Sequence, residues 1–340
     1  EARFTCSACG TSCRTINLGP LFPADVDRLL ALDWNGTGHD PARFFVDRDG
    51  NPVDDERVAA RRDLYLRREN DGCQFLRADN LCGVHARFGM EAKPYMCRAF
   101  PVQFRASPAG IVVGTRLGEC MRAEAGLQGP EIAQDLEAIR ALWNECPLVS
   151  LLPPLVWLVE GALVTWDEYE SLERALLEAT PEGSGGRHGA GLALLLRAVD
   201  AVARRAGVPL PEPCSKGDLA KLRDQMLEED PPPGPLPMAR TAATGLDDAA
   251  LRLEERMARL RLFSKDAFQH STVLAGISHL AVSAWLSRER AMALAAGEAP
   301  LARPGHLNEA VKELTAGPLR NRIREMGLDV VAVASALART

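Results

Sequence analysis

The 340-residue sequence predicts a mostly α-helical protein. A small, irregular α+β, cysteine-rich domain over residues 1–125 precedes a helical domain over residues 126–340. Three observations carry this reading. Seven of the nine cysteines fall within the first 120 residues. Apolar residues in that stretch follow no sustained period, whereas from about residue 130 they recur at helical spacing. The length itself admits two domains.

The elements follow in order. Pro23–Leu30 reads as a short helix with proline in its first turn. Residues 40–62 are charged and loop-like, with Asp-Gly turns at 49–50 and 71–72. Cys73–Leu76 and Gly110–Gly114 are the best strand candidates. This part has too few periodic apolar segments to build a good core unaided, and a bound metal would supply the missing staple. Beyond it, Ile132, Leu136, Ile139 and Trp143 repeat at helical spacing. Thr165 and Glu168 make a capping-box pattern that opens a helix over 166–179. A strongly apolar helix over 189–206 ends at Gly207. Further helices are expected at about 215–229 and 246–262. The segment 266–296 is rich in Ala, Leu and Val and is expected inside a bundle. Shorter helices near 306–326 and 328–339 finish the chain. The Gly-rich stretch 182–186 and the Pro-rich stretch 231–235 read as surface loops. No internal repeat of fixed period is present.

Composition removes several function classes. The net charge is −6, and residues 1–125 balance 17 basic against 17 acidic side chains. With no basic stripe, nucleic acid is not an expected partner. The chain opens on Glu1-Ala2-Arg3-Phe4 without a signal-peptide pattern. The longest apolar run, Leu151–Trp166, contains Pro153, Pro154, Glu160 and Gly161 and makes a poor membrane span. The expectation is a cytoplasmic protein, with no membrane partner and with reduced thiols. In that setting a C-x2-C pair indicates metal or redox chemistry rather than a structural disulfide, and nine cysteines cannot all pair.

The cysteines have metal-ligand spacing. Cys6, Cys9 and Cys13 form a C-x2-C-G-x2-C run, in which Gly10 allows the chain to bend both sulfurs toward one ion. Cys73 and Cys82 bracket an eight-residue loop, Cys97 follows, and Cys120 closes the set. Thiolates suit zinc and iron–sulfur clusters alike. Structural zinc takes four ligands, and seven thiols with His85 exceed that number. One site with spare thiols, two sites, or a cluster with redox-active thiols all fit. Arg98, directly after Cys97, is the candidate cofactor contact, since a guanidinium beside thiolates offsets negative charge. Cys146 and Cys214 stand without partners and read as small buried hydrophobes. His270 and His279, nine residues apart on the apolar segment, read as core or interface histidines on neighbouring helix faces. No Gly-rich strand–turn–helix fingerprint and no Ser-His-Asp arrangement is present.

Taken together, Phe4, Cys6, Cys9, Gly10 and Cys13, then Asp25, Val26 and Leu29, then Gly72, Cys73, Phe75, Leu76, Cys82 and His85, then Pro94, Cys97, Arg98, Phe100 and Pro101, resemble the YkgJ-type cysteine-cluster proteins. That family is described as zinc- or iron-chelating. The resemblance covers residues 4–123. It departs from the family pattern in its first motif, where C-x2-C-G-x-C-C is usual and Cys13 here comes one position later, followed by Arg14. The family includes flagellin lysine-N-methylases, which use S-adenosylmethionine and an iron–sulfur cluster. The resemblance therefore implies a metal or [4Fe-4S] site and, in its most specific form, S-adenosylmethionine-dependent methylation of a protein substrate. A structural zinc or iron–sulfur module on a helical interaction scaffold is the alternative. A thiol-based metal-handling or redox-sensing protein is a third.

Overall fold

The computed structural model describes residues 10–15, 17–70, 72–115, 134–146, 150–179, 189–228, 243, 245–263, 265–296, 298–313 and 316–339. These residues are mostly helical and carry four small sheets of two or three strands. They divide into two compact units. One runs up to Phe104 and includes 134–146; the other comprises 105–115 and the residues from Ser150 onward.

The first unit is built from short pieces. Helix α1 spans Thr11–Thr15 and α2 spans Pro23–Leu30. Proline opens α2, as its fixed φ and missing donor favour, and α2 buries Asp25, Val26 and Leu29. Strand β1 (Phe45–Val46) follows, then α3 (Asp55–Ala59) and β2 (Tyr65–Leu66), which pairs antiparallel with β1. Next, β3 (Arg68–Glu69) pairs with β4 (Gly72–Cys73). Helices α4 (Gly83–Phe88) and α5 (Tyr95–Ala99) complete the cysteine-bearing part. The core is an aromatic cluster. Trp34 stacks on Phe75 with centroids 5.2 Å apart, meets Phe44 and Phe88 edge-on, and donates from its indole to the Leu29 carbonyl at 2.8 Å.

Two expectations are corrected here. Residues 40–62 are not simply a loop, because they contain β1 and α3. A two-residue strand has no readable period; it forms because its partner lies about twenty residues on. The expected strand at Cys73–Leu76 stops at Cys73, where the Leu76 amide turns back onto the Cys73 carbonyl at 2.8 Å.

Beyond α5 lie β5 (Val102–Ser107), β6 (Gly110–Thr115) and α6 (Leu136–Asn144). Ile132, expected on that helix, lies outside the described residues. Strand β7 (Ser150–Leu151) runs parallel to β5, giving the order β6-β5-β7. The apolar run after it is a hairpin rather than part of the helical pattern. Strands β8 (Leu155–Val159) and β9 (Ala162–Thr165) pair antiparallel around Gly161, whose φ of +83° suits glycine.

Helix α7 (Trp166–Glu178) starts at the expected capping box, with Thr165 and Glu168 each bonding the other's backbone amide. Helix α8 (Gly189–Ala206) ends at Gly207, which takes φ +70°. Helices α9 (Lys216–Glu228) and α10 (Asp248–Phe263) follow. The segment 266–296 is not one helix. A 3-10 turn at Asp266–Gln269 is broken from α11 (Val273–Ala295) at His270–Thr272, where Thr272 caps the Ala275 amide at 3.2 Å. That break folds His270 back onto His279, their rings 4.7 Å apart and tilted, instead of leaving them on neighbouring faces of one helix. The stretch near 306–326 is likewise two helices, α12 (Pro304–Glu313) and α13 (Ala316–Glu325), before α14 (Val330–Leu337). Helix α11 is the centre of the bundle and packs on α8, α12 and α14. Among the described residues no helix is long and apolar enough to cross a membrane.

Candidate metal centre

Four described cysteines sit on four separate elements of the first unit. Cys13 lies in α1, Cys73 in β4, Cys82 at the N-cap of α4, and Cys97 in α5. The loop between Cys73 and Cys82 is closed by a bridge pairing Leu76 with Cys82 and by the Gly83 amide on the Phe75 carbonyl at 2.7 Å. Phe75, at the root of this loop, is fixed by its stack on Trp34.

Helix α1 lies against β4. Arg14 donates to the Asn80 side chain at 2.8 Å, and Arg68 donates to the Arg14 carbonyl. Gly10 adopts φ +68°, and a methyl there would stand 3.0 Å from Asn80. Glycine at this point therefore answers both to the turn and to close packing on the 73–82 loop.

Helix α5 is pinned by charge. The buried Asp25 carboxylate accepts from the Tyr95 amide at 2.8 Å and from Arg28 at 2.7 Å. Burial raises the Asp25 pKa, and these bonds and nearby arginines act against that rise. Arg98 reaches Glu91 at 3.0 Å, the Lys93 carbonyl at 3.2 Å and both oxygens of Glu145, one at 3.1 Å. Glu145 is held below the usual carboxylate range, first by its hydrogen bond to Arg98. The Arg98 guanidinium is thus engaged by carboxylates. Asp25, Glu91 and Glu145 are the residues that sequence reasoning left out of the site. The signal for Asp25 was present: it is an acid on the face of α2 that also carries Val26 and Leu29.

Two of the thiols are shifted. Burial pushes the Cys73 thiol up to about 12, and charge on Cys13 and Cys82 pushes in the same direction. Cys97 is raised as well, first by burial and then by charge on Cys73, with Cys82 and Cys13 adding to it. Cys73, Cys82 and Cys97 are free thiols. With raised pKa values Cys73 and Cys97 carry their protons, which a soft cation would have to displace on binding. Among the described residues no three His, Cys, Asp or Glu side chains stand in an arrangement that could hold a metal ion. Cys6, Cys9 and Cys120 lie outside the described residues. His85 is exposed on α4. Cys214 packs against the core of the second unit, as a small hydrophobe does. No protein-family model, no curated protein and no solved structure matches this chain.

Proposed function

We propose that the first unit binds a thiolate-ligated metal, either an iron–sulfur cluster or zinc. Cys13, Cys73, Cys82 and Cys97 are the donors from the described residues, and Cys6, Cys9 and Cys120 are the further candidates. The reading is supported by the metal-ligand spacing of the cysteines and by Cys73 and Cys97, whose pKa values burial raises and charge on Cys13 and Cys82 helps to raise; among the described residues no three donors are already arranged around an ion. A bound metal would supply positive charge to the thiolates and a crosslink between elements too short to be stable alone. Asp25 and Arg98 act on α5, holding the helix that presents Cys97.

The more specific form rests on the resemblance to the cysteine-cluster family. In it the chain is a cytoplasmic, S-adenosylmethionine-dependent protein lysine N-methyltransferase whose helical unit receives the substrate polypeptide. The structural-module alternative is favoured by the modest core of the first unit, which is centred on the Trp34 cluster and short of regular elements.

Metal analysis with an absorption spectrum, on protein purified without oxygen, tests the reading. About four irons per chain with matching sulfide supports a [4Fe-4S] site. Colourless protein with one or two zincs moves the structural module first. Protein without metal that takes up neither zinc nor iron–sulfur on reconstitution overturns the proposal. Calorimetric titration with S-adenosylmethionine then decides the methyltransferase form separately.

A further inference from the structure

The second unit holds a cavity of about 440 Å3 lined by the β7–β8 segment and by the turn leading into α11. Leu155, Val156 and Trp157 line it in succession, although their side chains alternate between faces, and no residue of β9 lines it. The cavity therefore runs along the edge of β8 that faces away from β9.

That edge carries ladder groups with no strand to receive them. The Trp166 amide donates to the Pro154 carbonyl at 3.0 Å, which fixes the alternation of the hairpin. Val156 and Val164 are then the next hydrogen-bonded pair. Leu155 and Trp157 fall on the positions between, so their N–H and C=O groups turn away from β9. Among the described residues no strand pairs with β8 on that side. Proline or charge ordinarily guards such an edge, and Leu155–Val159 contains neither. The side chains beside it add an apolar surface. Leu155, Trp157 and Leu163, the last directly opposite Trp157, are all exposed on one face, and contiguous large apolar side chains left in water mark binding surfaces.

The other wall is extended backbone too. His270 and Thr272 both line the cavity, with φ −114° and −135°. A slot walled on both sides suits a single chain rather than the edge of a second folded sheet. Charge selects nothing here. No aspartate, glutamate or lysine lines the slot, and Arg105 is already engaged by the Lys265 carbonyl and by Asp266 at 3.1 Å.

We propose that this slot binds a short, uncharged, extended peptide segment, which adds as a strand to the open edge of β8. Main-chain hydrogen bonds to Leu155 and Trp157 set its register. Its alternate apolar side chains gain affinity by covering Leu155, Trp157 and Leu163. The site requires neither the cysteines nor a metal, so its test and that of the metal reading are separate.

Calorimetric titration of the full chain with acetyl-Val-Thr-Val-Thr-Val-amide tests this. The peptide is expected to saturate one site. Alternate residues of an added strand turn their amides to β8. Two analogues, one N-methylated at both threonines and the other at the central and last valines, should therefore differ. One should lose about tenfold in affinity or more, near 1.4 kcal/mol, and the other should bind like the parent. Trp157→Ala should weaken the peptide several-fold; the side chain is exposed, so the change does not threaten the fold, which circular dichroism checks. Unsaturable binding, equal effects of the two analogues or an inert Trp157→Ala each overturns the proposal. So does a dimer in sedimentation velocity that the peptide dissociates, which would give the edge to a second copy of the chain.

Discussion

The thiol at position 97 and the thiol at position 214 are chemically alike and differ only in surroundings. Cys97 has three cysteine neighbours that raise its pKa, whereas Cys214 packs on aliphatic core and is raised by burial and by Asp218. Cys97→Ser is therefore expected to lose most of the bound metal and Cys214→Ser to keep it, read as metal per chain after anaerobic purification. Glu254 makes a second test at this scale. Its carboxylate is buried, Arg288 stands 3.6 Å away, and burial raises its pKa from 4.5 to about 7. Between those two values the folded state holds a proton that the unfolded state has released. Stability therefore falls as pH rises through that window, by about 1.4 kcal/mol per pH unit, and levels off above it. Glu254→Gln should flatten this slope in urea unfolding measured at pH 5, 6 and 7. A slope unchanged in the variant rules out Glu254 as its source.

Single elements here depend on single contacts. Gly276, in the first turn of α11, lies so close to the 3-10 turn that a methyl would stand 2.2 Å from the Ala267 carbonyl. The obstructing atoms are backbone and cannot swing aside. Gly276→Ala should cost about 1–3 kcal/mol, in the range of overpacking, whereas Gly305→Ala in α12 meets no atom within 4 Å and should be neutral or mildly stabilising. Thermal melts of the two variants separate these outcomes. The capping box of α7 is worth about 1 kcal/mol, so Thr165→Ala should lower the unfolding free energy by that amount. An unchanged midpoint and slope in urea would mean that the hairpin and core, not the cap, set where this helix starts.

The two units have unequal cores. That of the second is a broad helical one around α11, with Trp166, Leu194, Leu222 and Leu286 almost wholly buried. That of the first is a compact cluster around Trp34, Phe44 and Phe75, with several strands only two residues long. Under the metal-binding proposal, chelation should lower the melting of the first unit by many degrees and leave the second near its original midpoint. Calorimetry would then resolve two transitions, with most helical ellipticity lost in the later one. A single transition that chelator does not move would mean the cysteines contribute nothing to the fold.

The helical half was largely legible because its signals are local. The box at Thr165 and Glu168, the stop at Gly207 and the apolar stripe of α8 each act within a few residues, so spacing alone locates them. Sequence spacing also singled out the cysteines, since C-x2-C and the Cys73–Cys82 loop are short-range patterns. What spacing could not give was anything made by distant partners. The pairing of β1 with β2, the hairpin hidden in the apolar run 151–166, and the break that brings His270 against His279 depend on contacts formed only when the chain closes. The same holds for Arg98, which sequence places beside a thiolate and the fold ties to Glu91 and Glu145. Local propensity and side-chain chemistry were set by the order of residues. Tertiary structure alone decided which charges meet, because burial and long-range pairing depend on what each side chain finds opposite it.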